Sequence, residues 1–263
     1  MAAQVTRHKP RVGIIGGSGP EAGADLFLKL QAAHRARLGA AYATDRDARD
    51  VLRWSVSGGG GPRDVGDVAP GSEGFRRTLK ALCVTLKELA PLVDVVVVAC
   101  NTLHAFEAEM LGFLDLIDQP RSKLVSMVSA ASSACLNRGA VAVLGGPVTT
   151  HPDLSPYAAL GLCCELVRLT DAQKDALRAV IWAVKREGAA SEDTAAAFVA
   201  LLDDVAAAGA ATVLLACTEL PLVDVAAYCA AANRKVPAVD LLDPTRLVAA
   251  AVVDAVHAGP PSQ

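Results

Sequence analysis

Apolar residues in this chain take two alternating forms: short unbroken runs, and longer stretches in which they return every third or fourth position. The first form reads as strands buried on both faces of a parallel sheet, the second as helices packed against it. Residues 12–15 (VGII) are the first run, closed by Gly16, Gly17, Ser18, Gly19 and Pro20. Residues 21–38 then keep helical spacing through Leu26, Phe27, Leu30 and Ala33, giving strand, glycine turn, helix. A second strand is expected at 51–57 (VLRWSVS), a helix over 76–90, and a third strand leading to Cys100. Between them residues 58–61 are all glycine, followed by Pro62, Arg63 and Asp64. That composition holds no regular structure and predicts a loop that is either a mobile cover over a site, where Ser55, Ser57 and Arg63 can reach a ligand, or a solvated connection.

The second half repeats the scheme. After a polar break at 118–123 and a strand or helix start in LVSMVSAASSACL, residues 141–146 (VAVLGG) answer 12–17 (VGIIGG) and open a second glycine turn, GGPVTTHPDLSPY. Residues 161–169 (GLCCELVRL) have a strand pattern that sends Cys163 and Cys164 to opposite faces as packing residues. Amphipathic helices are expected over 169–187 and 195–208, then a strand ending at Cys217 and a helix ending near Arg234. A strand at 236–239 closing on Asp240 and a helix over 244–257 complete the chain. Gly16 precedes Cys100 by 84 residues and Gly145 precedes Cys217 by 72, so the chain reads as a diverged duplication. The expected fold is α/β: two pseudo-symmetric lobes, each a mainly parallel sheet flanked by helices, with a site between them. Residues 1–120 form the first lobe, with 224–263 returning to it, and 121–223 form the second.

The two cysteine strands carry the chemistry. Residues 94–104 (DVVVVACNTLH) and 211–220 (ATVLLACTEL) each end a buried strand in a cysteine with polar residues after it: Asn101 and Thr102 in one, Thr218 and Glu219 in the other. Simple core packing does not ask for such residues there. A helix start just beyond each sulfur is expected to favour thiolate over thiol. Two thiols on opposite walls of one cleft form a two-base system, in which one sulfur takes a proton from a carbon and the other returns one to the opposite face. Ser18, Ser57, Asn101, Thr102, Thr149, Thr218 and Glu219 are the candidate substrate-binding residues, supplying donors for a carboxylate on which charge develops. His104 stands one turn after Cys100 and can orient the site. Asp240, like Glu219, can meet a substrate ammonium. His8, His34 and His257 belong to no constellation and read as surface residues.

Composition narrows the rest. A net charge of −3 and a pI near 6.0, without a basic stripe, argue against a nucleic-acid surface and leave a small molecule as partner. Seven cysteines, an odd number, show no CxxC pair and no zinc-type spacing, so neither a disulfide framework nor a metal is indicated. The longest nearly continuous apolar run, 205–217, is too short to span a bilayer. No secretory leader is read at the amino terminus, and a soluble cytoplasmic protein is expected. The glycine turn also fits a loose dinucleotide fingerprint, Gly17-x-Gly19-x-x-Ala22, without the acidic residue that should follow a second strand. No cofactor is called for, and no pyridoxal-type lysine motif is visible.

Through IIGGSGPEA, ACNTLH, LGGPVTT and LLACTELPLV the chain resembles the aspartate/glutamate racemase family over nearly its whole length. The resemblance implies a racemase independent of pyridoxal phosphate and acting on aspartate, glutamate or a related amino acid. It further implies a homodimer, with Cys100 and Cys217 as the two acid/base residues, Cys217 acting on the L-enantiomer and Cys100 on the D. Ser18 stands where aspartate racemases usually have methionine, and residues 145–149 (GGPVT) stand where they have a GT-x-GT pattern. Hydantoin racemase and maleate cis-trans isomerase of the same superfamily are the alternatives, and a nucleotide- or small-ligand-binding α/β protein is the alternative from another class.

Overall fold

The computed structural model describes residues 9–16, 19–56 and 64–258. Within them the chain forms two four-stranded parallel sheets. The first holds β1 (Val12–Gly16), β2 (Val51–Ser55), β3 (Val95–Val98) and β4 (Leu124–Val125) in the order β2-β1-β3-β4. The second holds β5 (Val141–Gly145), β6 (Leu166–Val167), β7 (Thr212–Ala216) and β8 (Asp240–Leu242) in the order β6-β5-β7-β8. The two orders are the same. In each sheet the first strand has the second on one side and the third on the other, so the chain reverses its winding between first and third. Open parallel sheets bind ligands at that switch point, outside the carboxyl ends of the strands.

The unbroken valine run of β3 follows from burial on both faces. Val96 and Val98, with Ile15, meet Leu82, Leu86 and Leu89 of α2 (Glu73–Leu89) and Met110 of α3 (Glu107–Leu116). Val95 and Val97, with Val12 and Ile14, meet Leu26 and Leu30 of α1 (Pro20–Leu38) and Val248 and Val252 of α8 (Pro244–Ala258). Alternate residues thus serve alternate layers. In the second sheet, Ala142, Leu144, Val213 and Leu215 pack on α5 (Asp171–Glu187) and α6 (Glu192–Ala207) through Leu177, Val180, Phe198 and Leu202. Its other face, at Val141, Leu214 and Ala216, is covered by Ala131 and Cys135 of α4 (Met127–Cys135) and by Tyr157 and Leu160 of the β5–β6 loop.

Several elements differ from expectation. Residues 158–162 form a 3-10 turn and pairing resumes only at Leu166, so Cys163 lies exposed in a turn, its Sγ 3.5 Å from Leu160 O, and not in a strand. The strand expected at 236–239 starts at Asp240 instead. Pro237 has no N–H to give a ladder, and its carbonyl accepts from Val239 N at 2.9 Å in a local turn. β4 follows the break at 118–123 yet pairs in the first sheet, fixed by Lys123 Nζ donating to Ala90 O and Val93 O at 2.8 Å each. β8, beyond residue 223, pairs with β7 in the second sheet, whereas α8 packs on α1 and α4. At the start of α8, Lys29 Nζ lies 2.6 Å from Asp243 and 2.8 Å from the fully buried Thr245 hydroxyl.

The histidine reading is corrected for His34, which is buried; His257 is exposed as expected but joins His34 and Arg49 in a cluster, and His8 lies outside the described residues. His34 is 2% exposed, and its Nε2 donates to Asp47 O at 3.0 Å. Its ring stacks on His257 at 5.4 Å, and Nη2 of the buried Arg49 lies 3.3 Å from a nitrogen of each ring. Both rings are therefore acceptors for one guanidinium. Both stay neutral, with pKa values below the ordinary range through burial and then the Arg49 charge.

Candidate active site

Each cysteine follows the third strand of its sheet, beside the glycine turn that follows the first strand. β3 runs through Ala99 into Cys100, which is 8% exposed and packs with Ile15, Leu103 and Val148. Val148 belongs to the turn after β5, so the second glycine turn reaches into the apolar cluster around Cys100. That turn is tight: a Cβ on Gly145 would lie 2.7 Å from Ala216 O and inside the Thr149 hydroxyl. Glycine is required there by close approach alone.

Buried polar partners hold the Cys100 segment. His104, 4% exposed, has Nδ1 2.9 Å from Cys100 O, and its Nε2 accepts from Met127 N at 3.1 Å. The two bonds require the neutral tautomer with its proton on Nδ1, and burial lowers the pKa in the same sense. His104 thus ties the cysteine turn to the start of α4. Asn101, 2% exposed, accepts at Oδ1 from the Tyr157 hydroxyl, which comes from the β5–β6 loop. Among the described residues its amide Nδ2 has no hydrogen-bond partner, which leaves a donor one residue from a thiol. Thr102, half-buried, opens a 3-10 turn.

At the second sulfur, Cys217 Sγ donates to Glu219 Oε2 at 2.9 Å. Thr218 Oγ1 lies 3.4 Å from the same oxygen, and Glu219 Oε1 is bonded to Lys185 Nζ near the end of α5. Burial first, then the Glu219 charge, pushes the Cys217 thiol well above its usual range. Burial opposes the Lys185 charge, but Glu219, and after it Cys217 and Cys100, hold the ammonium above its ordinary value.

The helix-dipole expectation is corrected here. A 3-10 turn, Thr102–Phe106, separates Cys100 from α3, and another, Leu220–Leu222, separates Cys217 from α7 (Val225–Ala231). Neither sulfur caps an α-helix, and Cys217 is held as a thiol.

Of the substrate-binding residues named from sequence, Asn101, Thr102, Thr149, Thr218 and Glu219 stand around these two turns. Thr149 is turned inward, donating to Gly146 O at 2.9 Å. Ser18 and Ser57 lie outside the described residues, as does Arg63. Asp240 is corrected: it sits at the amino end of β8, away from the carboxyl edge, paired with Arg138 at 3.0 Å. Gly19, next to the first turn, would drive any Cβ into the Glu219 carboxylate, so the first turn meets the second cysteine motif directly. Sequence reading missed Lys185, which looks like an ordinary basic residue in a last helical turn. It also missed the Tyr157 hydroxyl, whose partner lies 56 positions away. No three His, Cys, Asp or Glu side chains among the described residues are grouped to hold a metal ion. No helix among them is long and apolar enough to cross a membrane.

Searches by sequence give no matching family model and no matching curated protein. Solved structures do match. A candidate Asp/Glu racemase from Yersinia pestis superimposes with a TM-score of 0.67 at 19% identity, over 94% of this chain and 99% of that one. An aspartate racemase homologue from Pyrococcus horikoshii gives 0.65 at 20% identity with the same coverage. Glutamate racemase from Francisella tularensis, solved with D-glutamate, gives 0.62 at 14% identity over 97% of this chain and 85% of that one. The chain has the fold of the aspartate and glutamate racemases.

Proposed function

We propose that this protein belongs to the aspartate/glutamate racemase family and is a cofactor-independent amino-acid racemase, with Cys100 and Cys217 as its acid and base. Each sheet with its helices forms one lobe, and the protein works as a cytoplasmic homodimer. The observation that carries this reading is the set of contacts around the two cysteine motifs: Glu219 holding both the Cys217 thiol and Lys185, Gly19 of the first turn against Glu219, and Tyr157 of the second half bonded to Asn101. The likeness to racemase structures supports it at the level of fold.

The chemistry follows from the protonation state. Held as a thiol, Cys217 is the acid of this state, and Cys100 is the base once its proton has left. The Cys100 sulfur takes the α-proton, the C–H electron pair moves into the substrate carboxylate, and Cys217 delivers its proton to the opposite face. The product is the mirror-image amino acid. In the reverse direction Cys217 must first lose its proton, and Glu219 Oε2, already its acceptor, is the group that takes it. An α-proton is weakly acidic, so the charge that develops needs fixed donors in a dry site. The Asn101 amide and the Lys185 ammonium supply them. Lys185 also favours a substrate that carries a second carboxylate, such as aspartate or glutamate.

Proton NMR in deuterium oxide with a panel of amino acids tests the proposal. Loss of the α-proton signal with appearance of the opposite enantiomer is expected for an acidic amino acid. Turnover of maleate or of a hydantoin, with every amino acid unchanged, would replace this reading by the corresponding alternative.

A further inference from the structure

The β5–β6 loop also walls a cavity of about 340 Å3 that neither cysteine lines, a size within the range of small-molecule pockets. Its apolar lining includes Val143 of β5, Leu166 of β6 and Leu169 just beyond β6. Two cations stand at it: Arg168, the residue after β6, and Lys174 in the first turn of α5. No aspartate or glutamate is among the lining residues. Arg168 has no ion-pair partner among the described residues. Lys174 meets Asp171 at 2.9 Å, but that carboxylate is 96% exposed, and a pair so open to water is weak enough for the ammonium to turn to a ligand. A guanidinium and an ammonium lining one cavity, the first without an ion-pair partner among the described residues and the second held only by an exposed carboxylate, suit a phosphate or carboxylate head, which the planar fork of arginine grips at two oxygens.

The cavity shares a wall with the cysteine site. Tyr157 lines it, and the same side chain donates to Asn101 beside Cys100. Thr149, of the glycine turn that ends in the Cys100 cluster, lines it too. A molecule seated there touches the loop that positions Asn101. We infer that this cavity is a regulatory site for a small molecule with a phosphate or carboxylate head on an apolar body, acting on the cysteines through Tyr157 and Asn101. Its binding is independent of the reaction, while its regulatory effect rests on the racemase reading.

The test separates the two. Calorimetry on the Cys100→Ser, Cys217→Ser double variant, with phenyl phosphate and phenylacetate as probes of matched body, reads binding without turnover. A Kd below about 1 mM is expected for at least one probe, weakened at least about tenfold by Arg168→Glu or Lys174→Glu and unchanged by Lys235→Glu on the exposed surface. Binding of one probe alone assigns its head group; binding of both assigns the anion class. No binding, or binding indifferent to Arg168→Glu and Lys174→Glu, overturns the site. With the active protein, the bound probe should change the racemisation rate by at least about twofold, and Arg168→Glu should abolish the response. Binding without any change in rate overturns the regulatory role. Binding by a protein that racemises no amino acid leaves the site standing and removes the racemase reading.

Discussion

The thiol of Cys217 donates to Glu219 at 2.9 Å, while the other oxygen of that carboxylate is bonded to Lys185. Thiol, carboxylate and ammonium thus lie in one chain of contacts, drawn from the turn after β7 and the last turn of α5.

Glu219 therefore controls the Cys217 proton. After burial, its charge is the main cause of the raised thiol pKa. Glu219→Gln removes that charge and keeps the shape, so the thiol should titrate at lower pH. Alkylation of Cys217 by iodoacetamide at pH 8, read by peptide mass spectrometry, should be faster in the variant. An equal or slower rate contradicts this control.

Lys185 neutralises a carboxylate that is only 6% exposed. Lys185→Met leaves Glu219 charged and unpaired, at a cost of about 3 kcal/mol. Lys185→Met with Glu219→Gln should recover most of that loss in urea unfolding, while racemisation stays low. A single variant as stable as wild type would show that the pair does not hold the site.

Tyr157→Phe deletes one oxygen and leaves Asn101 Oδ1 buried without its donor. A loss of about 1–2 kcal/mol is expected. A fall in kcat with little change in KM should accompany it, because the Asn101 amide is then free to rotate. Unchanged kcat would reduce the contact to simple packing.

The His34–Arg49–His257 cluster makes stability depend on pH. Folded-state pKa values of both rings are lowered, so the unfolded chain binds protons first as pH falls. Stability present above the unfolded value, about 6.5, is lost below it. Lys9 and Arg37 add to the repulsion of a protonated ring and Asp254 opposes it. The His34→Gln, His257→Gln variant should melt with a shallower dependence between pH 7.5 and 5.5. Some slope should persist, because the buried His104 titrates in the same sense. An unchanged slope contradicts neutral rings in the fold.

How much of this was legible in sequence depends on whether the cause was local. Val95–Val98 is a strand buried on both faces, and an unbroken valine run states that without any partner. The glycine turns and the cysteine turns likewise announce themselves, because close approach and polar residues at a strand end are local demands. Lys185 does not: its partner lies 34 positions on, and nothing in a last helical turn marks which lysine faces inward. His34 went unread for the same reason, since Arg49 and His257 meet it only once α8 docks on α1. At 236–239 the β-branched residues suggested a strand, but the missing N–H of Pro237 decided the outcome.

The most direct test of the account is chiral chromatography of an acidic amino acid after incubation with wild type, Cys100→Ser and Cys217→Ser. Wild type should carry either enantiomer to an equal mixture, and each folded single variant should lose at least about 10²-fold in the rate of inversion. Inversion at the wild-type rate in either variant would contradict the two-thiol mechanism.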